Sequence, residues 1–318
     1  MLTEASIRRT LYHPEQLPDS AVVAALAATS EASPALLDTR QFPPLLLRLS
    51  EIAADQNDNV EMRFKVDDTS FNPLAGSMFN LLPNNFSLVA KKRIYYNLYN
   101  SSAFVINNFK TFFSLWVIKP TVAHKLRYGI ALTPDELKLN KDLGIADTVE
   151  KGLLPLPLAE QISREFQVIQ EETHAFQIVV PTAGVVVETL HPAKDQFLVL
   201  TKMTADPGTA AADGIQIAVD RDFVSDYVVL PTWAFGQPYT VNAGAITVQE
   251  ALSKEISCFI PALDELRIRL NATVARTINI RFTIWKCAMT NLFRARWGLA
   301  SRDELPKDVW DKVMAGVL

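Results

Sequence analysis

Aspartate gathers most densely along TADPGTAAADGIQIAVDRDFVSD, which carries Asp206, Asp213, Asp220, Asp222 and Asp226. Carboxylates on sandwich loops can bind calcium, a hard cation that takes about six to eight oxygens. These spacings match no EF-hand loop, and aspartate at turns also has a local use, because its oxygens accept backbone amides there. His13, His124, His174 and His191 stand singly, without a cysteine or second histidine at ligand spacing, so no zinc site is expected. The chain has no Gly-x-Ser-x-Gly elbow, no P-loop and no dinucleotide-binding glycine pattern, and no carboxylate pair stands out for glycoside hydrolysis. No catalytic residue, cofactor or metal is therefore assigned.

Two further constellations remain. LPTWAFGQPY (230–239) sets Trp233, Phe235 and Tyr239 in a loop punctuated by proline and glycine. Such aromatics can stack on a sugar or anchor a partner protein; the alternative is that they tuck against their own domain. The second constellation is a phrase written twice, KLRYGIALTPDEL (125–137) and RARWGLASRDEL (294–305). Residues 113–131 lie on 282–300 without a gap, matching Phe113 with Phe282, Trp116 with Trp285, Thr121 with Thr290, Arg127 with Arg296 and Gly129 with Gly298. Lys125 and Arg294 form a conservative pair, and one gap then aligns Thr133–Glu136 with Ser301–Glu304. An internal duplication is one reading, and a strand–turn–helix solution reached twice is the other. Arg127-Tyr-Gly129 and Arg296-Trp-Gly298 are read as structural corners: a strand ends at tryptophan, a connection follows, and glycine permits a left-handed or close-packed backbone before a capped helix.

The elements that must position these residues divide the chain in three. Residues 1–59 read as a helical or irregular N-terminal arm. Ser20 could cap AVVAALAATSEA, and Leu45, Leu46, Leu49, Ile52 and Ala53 fall at helical spacing after Pro44. This segment is either an arm laid on another surface or a helical layer of the same domain. Residues 60–150 read as a β-rich unit: VEMRFKV alternates, Phe109, Thr111, Phe113 and Leu115 share a face, and a capping box opens a helix at Thr133. KGLLPLPLAE suggests the boundary, and residues 151–318 read as an antiparallel sandwich of seven to nine short strands closed by a C-terminal helix. The fold class is thus mainly β, in antiparallel sandwich or jelly-roll-like units. No strand–helix alternation supports a doubly wound nucleotide fold.

Composition excludes further classes. An apolar share of 49% and a charged share of 21% argue against wholesale disorder, and a net charge of −4 gives no basic footprint for nucleic acid. No direct nucleic-acid contact is expected. Cys258 and Cys287 sit in apolar runs and read as buried thiols, not a disulfide framework. The N-terminus has no apolar core of a secretory signal, and AVVAALAA falls short of the ~20 residues of a membrane span, so an intracellular site of synthesis is expected.

Repeated β-rich units, without a catalytic constellation or cofactor motif, suit a building block. In this the chain resembles bacteriophage virion structural proteins of sandwich or jelly-roll type, over residues 165–300. The possible duplication is similar to that of double-jelly-roll capsid proteins. The resemblance implies a capsid, collar or tail component located in the virion. Its partners would be copies of itself and other virion proteins. A carbohydrate-binding or glycan-processing sandwich, with Trp233, Phe235 and Tyr239 as its platform, is the competing expectation.

Overall fold

A computed structural model describes residues 15–28, 31–32, 36–38, 44–54, 59–67, 72–75, 88–150, 167–206, 213–220, 227–235, 238–243, 246–251, 255–296 and 299–315. Alternating apolar residues build two sandwiches in chain order. The first contains β1 (Glu15–Leu26), β2 (Glu31–Ala32), β3 (Leu36–Asp38), β4 (Leu46–Ala54), β5 (Val60–Val66), β6 (Asn72–Ala75), β7 (Leu88–Ala90), β8 (Arg93–Asn100) and β9 (Ile106–Ile118). The second contains β10 (Val168–Val180), β11 (Val185–Leu190), β12 (Gln196–Ala205), β13 (Gly214–Val219), β14 (Tyr227–Pro231), β17 (Ile256–Ala262), β18 (Leu266–Asn271) and β19 (Arg276–Ala288). A hairpin of β15 (Pro238–Ala243) and β16 (Ile246–Ala251) is inserted between β14 and β17.

Both sandwiches have one topology. The second pairs β10-β19-β12-β17 in one sheet and β11-β18-β13-β14 in the other. The first pairs β1-β9-β4-β7 and β2-β8-β5-β6, with β3 also on β8, so that β2 and β3 together stand for the second strand. Counted within each unit, the order is 1-8-3-6 over 2-7-4-5, the order of a jelly roll. The pairings are antiparallel, and β17 of the second unit pairs with β1 of the first at Gln16 and Phe259. That contact fuses the two 1-8-3-6 sheets into one of eight strands. Because neighbours alternate in direction, β1 and β10, four places apart, run the same way. The two jelly rolls therefore stand side by side in one orientation.

Period-two burial fills each interior. Phe109, Phe113, Leu115 and Val117 of β9 face Met62, Phe64 and Leu98 in the first core, and Ile278, Ile280, Phe282 and Ile284 of β19 lie in the second. The opposite face of the eight-stranded sheet is also apolar near one end. Leu46, Trp116, Ile118, Phe197, Val199, Phe259 and Cys287 form a third cluster there, covered by Phe293, Tyr128 and Ile130. This cluster draws on both sandwiches and makes a shared third layer with the helices.

The helix expected over residues 21–32 and 44–54 is corrected: β1 and β4 occupy residues 15–26 and 46–54, as strands on either side of β9. Leu45 and Leu49 belong to an alternation with Leu47 as well as to the helical spacing, and all three leucines are buried in the first core, while Leu46 faces the opposite side. Pairing with the aromatic strand β9 decides between the two patterns, as tertiary context overrides propensity. Much of the supposed arm is thus part of the first jelly roll. Residues 151–160, the expected boundary, lie outside the described residues.

Candidate functional site

The repeated phrase forms two matching strand-to-helix joints at the same end of both sandwiches. Each follows the eighth strand, and each strand runs past its tryptophan, to Ile118 and Ala288. The connection is itself a short helix, Val122–Tyr128 in the first joint and Asn291–Arg296 in the second. Thr121 Oγ1 accepts the amide of His124 at 3.3 Å, and Thr290 Oγ1 accepts that of Phe293 at 3.2 Å. At the exit, the Ile130 amide donates to the Lys125 carbonyl at 2.8 Å, and the Leu299 amide to the Arg294 carbonyl at 2.7 Å. Gly129 closes the first helix at φ 63°, ψ 37° with no atom near where a Cβ would stand, so its requirement is conformational, not steric.

Charge locks each joint in the same way. Lys125 Nζ donates to Glu136 at 2.7 and 2.8 Å, while the Glu136 carboxylate also accepts the Thr133 amide at 2.9 Å. In the second joint Arg294 meets Glu304 at 2.7 Å, and Glu304 accepts the Ser301 amide at 3.0 Å. Burial works to raise the Glu136 carboxyl, but its bonds to Lys125 and Thr133 prevail and hold it below the usual range. The Ser301 amide, with Arg294, does the same for Glu304. Sequence reading assigned both glutamates to helix capping alone. The like charge of Lys125 and Arg294 at matching positions is the signal that points to the ion pairs.

A second repeated device escaped the sequence. Asp67 follows β5 at φ 52° and Asp220 follows β13 at φ 54°, both at the end of the fourth strand of their unit. Asp67 accepts the amides of Lys91, Lys92 and Arg93, while its own amide donates to the Arg93 carbonyl at 2.9 Å. Asp220 accepts those of Leu263, Asp264 and Glu265, while its amide donates to the Glu265 carbonyl at 2.8 Å. Each clamp fixes the turn between the sixth and seventh strands. The turn sequences share nothing, so only the structure reveals the match.

The remaining candidates resolve individually. Asp206 accepts the backbone and side-chain amides of Asn279, each at 2.7 Å. Asp213 is buried, accepts from Thr273 at 2.6 and 2.9 Å, and meets Arg276 at 3.2 Å. These acids are not brought together, and Asp222 and Asp226 lie outside the described residues. Phe235 ends a 3-10 turn (Thr232–Phe235) and is fully buried in the second core, which removes it from the expected aromatic platform. The backbone turns it inward because Thr232, also buried, is tied to the Asp213 carbonyl by its amide at 2.9 Å. Trp233 lies on the same turn and Tyr239 on β15. Arg127 is exposed, its guanidinium 5.6 Å from the Tyr128 ring centroid. Arg296 ends the second joint helix, and Gly298 lies outside the described residues. Among the described residues, no helix is long and apolar enough to cross a membrane.

No protein-family model matches the chain, and no curated protein matches it. Solved structures give distant likenesses. A chain from the atomic structure of Sulfolobus Turreted Icosahedral Virus is 11% identical, covering 96% of both chains with a TM-score of 0.25. The major capsid protein P2 of bacteriophage PM2 is 8% identical, covering 86% of this chain and 99% of its own, with a TM-score of 0.23. The vicilin of Solanum melongena is likewise 8% identical, covering 94% of this chain and 85% of its own, with a TM-score of 0.23. At TM-scores of this size none of them assigns a role to this chain.

Proposed function

We propose that this protein is a structural building block of a viral particle, acting by self-assembly through protein–protein interfaces and without a catalytic step of its own. The observation that supports this reading is the side-by-side fusion of two jelly rolls of one topology through a strand edge and a shared third layer. Such a chain is built from a contact between like units, and a head-to-tail contact of this kind extends into rings or open arrays. The conspicuous polar groups serve the framework, since the repeated ion pairs and aspartate clamps fix joints and turns instead of facing a cleft. Its partners are then copies of itself and other virion proteins, and its place is the virion. Electron microscopy of the purified protein tests the reading. Rings, shells or tubes are expected, whereas a strict monomer at high concentration would count decisively against it.

A further inference from the structure

Among the described residues, the eight-stranded sheet ends in β10 on one side and β7 on the other. Within their units these are the first and the sixth strand, the same two positions that β1 and β17 hold where the jelly rolls join. Each outer edge is thus the counterpart of one half of the internal seam. We propose that β10 of one copy pairs antiparallel with β7 of a second copy, repeating between molecules the β1–β17 contact within the chain. This inference rests on the building-block reading and names the edges through which it operates.

The equivalent tryptophans supply the register. Trp116 pairs with Gln16 of β1 and Arg48 of β4, while Trp285 pairs with Glu171 of β10 and Val199 of β12. Glu171 is therefore the counterpart of Gln16. Arg48 in turn pairs with Val89 of β7, and Val199 with Pro261 of β17, which makes Leu88 the counterpart of Ile260. Since Gln16 faces Phe259 across the internal seam, antiparallel pairing sets Gln170 opposite Leu88 between copies.

Two observations favour a second copy at this edge. Val168 and Ile169, at the start of β10, are 40% and 56% exposed, and an open edge with apolar side chains is a template for another strand. In addition, Trp116 is only 6% exposed because Phe259 of the adjoining jelly roll stacks on it at 5.4 Å, whereas its counterpart Trp285 is half-buried. The same register would set Val89 of a neighbour's β7 opposite Ile169, adding apolar cover on the sheet face that carries Trp285.

Paired cysteines test the register, because directly opposed strand residues lie within disulfide reach. Oxidation of the L88C/Q170C double variant is expected to give a ladder of covalent multimers on a non-reducing gel. Neither single variant should do so, while L88C mixed with Q170C should give dimers only. The native Cys258 and Cys287 are buried and give little background. Cross-linking of Q170C alone would overturn the proposal. So would particles seen by electron microscopy without an 88–170 link, and in that case the building-block reading stands. A protein that never leaves the monomer sinks both. As an independent check, V168K/I169K should retain the parent's melting curve and lose assembly. Unimpaired assembly of that variant would count against the edge pairing.

Discussion

Asp67 and Asp220 occupy left-handed backbone positions, where asparagine and aspartate are tolerated better than other side chains, and each satisfies three amides of a turn distant in sequence. Asp220→Asn keeps the backbone preference and one acceptor oxygen, and should cost about 1 kcal/mol. Asp220→Ala strands the amides and adds backbone strain, for roughly 2–4 kcal/mol by urea denaturation. A smaller loss for alanine than for asparagine would refute the clamp. Cys287 is fully buried, and burial pushes its thiol up to about 12. It should resist iodoacetamide at pH 8 in the native protein and react only on unfolding. Neither clamp is legible in the sequence, because 24 residues or more separate aspartate from amide and backbone donors leave no residue-type signature.

The strand-to-helix joint is where sequence and structure agree most closely. The shared Phe-x-x-Trp spacing and the capping boxes at Thr133–Glu136 and Ser301–Glu304 were legible, since each is a local pattern, whereas the short helices capped by Thr121 and Thr290 read only as connections. The ion pair in each joint left only an indirect signal, the like charge of Lys125 and Arg294, because Lys125 and Glu136 meet only after Gly129 has reversed the chain. Glu136→Gln should destabilise the fold by roughly 1–2 kcal/mol, a charge-assisted hydrogen bond being replaced by a neutral one. The pH dependence follows from the lowered carboxyl. Its contribution is complete above the ordinary value of 4.5 and is lost as pH falls through the folded value. Stability measured from pH 7 down to 3 should therefore fall less steeply in Glu136→Gln than in the parent, and parallel curves would exclude the pair as a source of acid sensitivity. The N-terminal strands show the converse. Leu45 to Ala53 fit two periods at once, and only the neighbouring β9 selects between them.

At the scale of the molecule, the third layer decides whether the jelly rolls behave as one body. Phe197 is fully buried and stacks on Phe293 at 3.9 Å, in the cluster that both sandwiches share. Phe197→Ala should cost about 3–5 kcal/mol. It should also loosen the coupling, so that calorimetry resolves two transitions where the parent shows one. A single transition shifted in temperature would mean that the strand edge alone holds the units together. One consequence concerns what the molecule can carry. Since both jelly rolls point the same way, their helical joints share one end, while the chain departs after β14 and returns into β17 at the opposite end. A peptide cargo grafted between β15 and β16 would branch from the end remote from the joints, so that in any array of aligned copies every graft would be displayed on a single side.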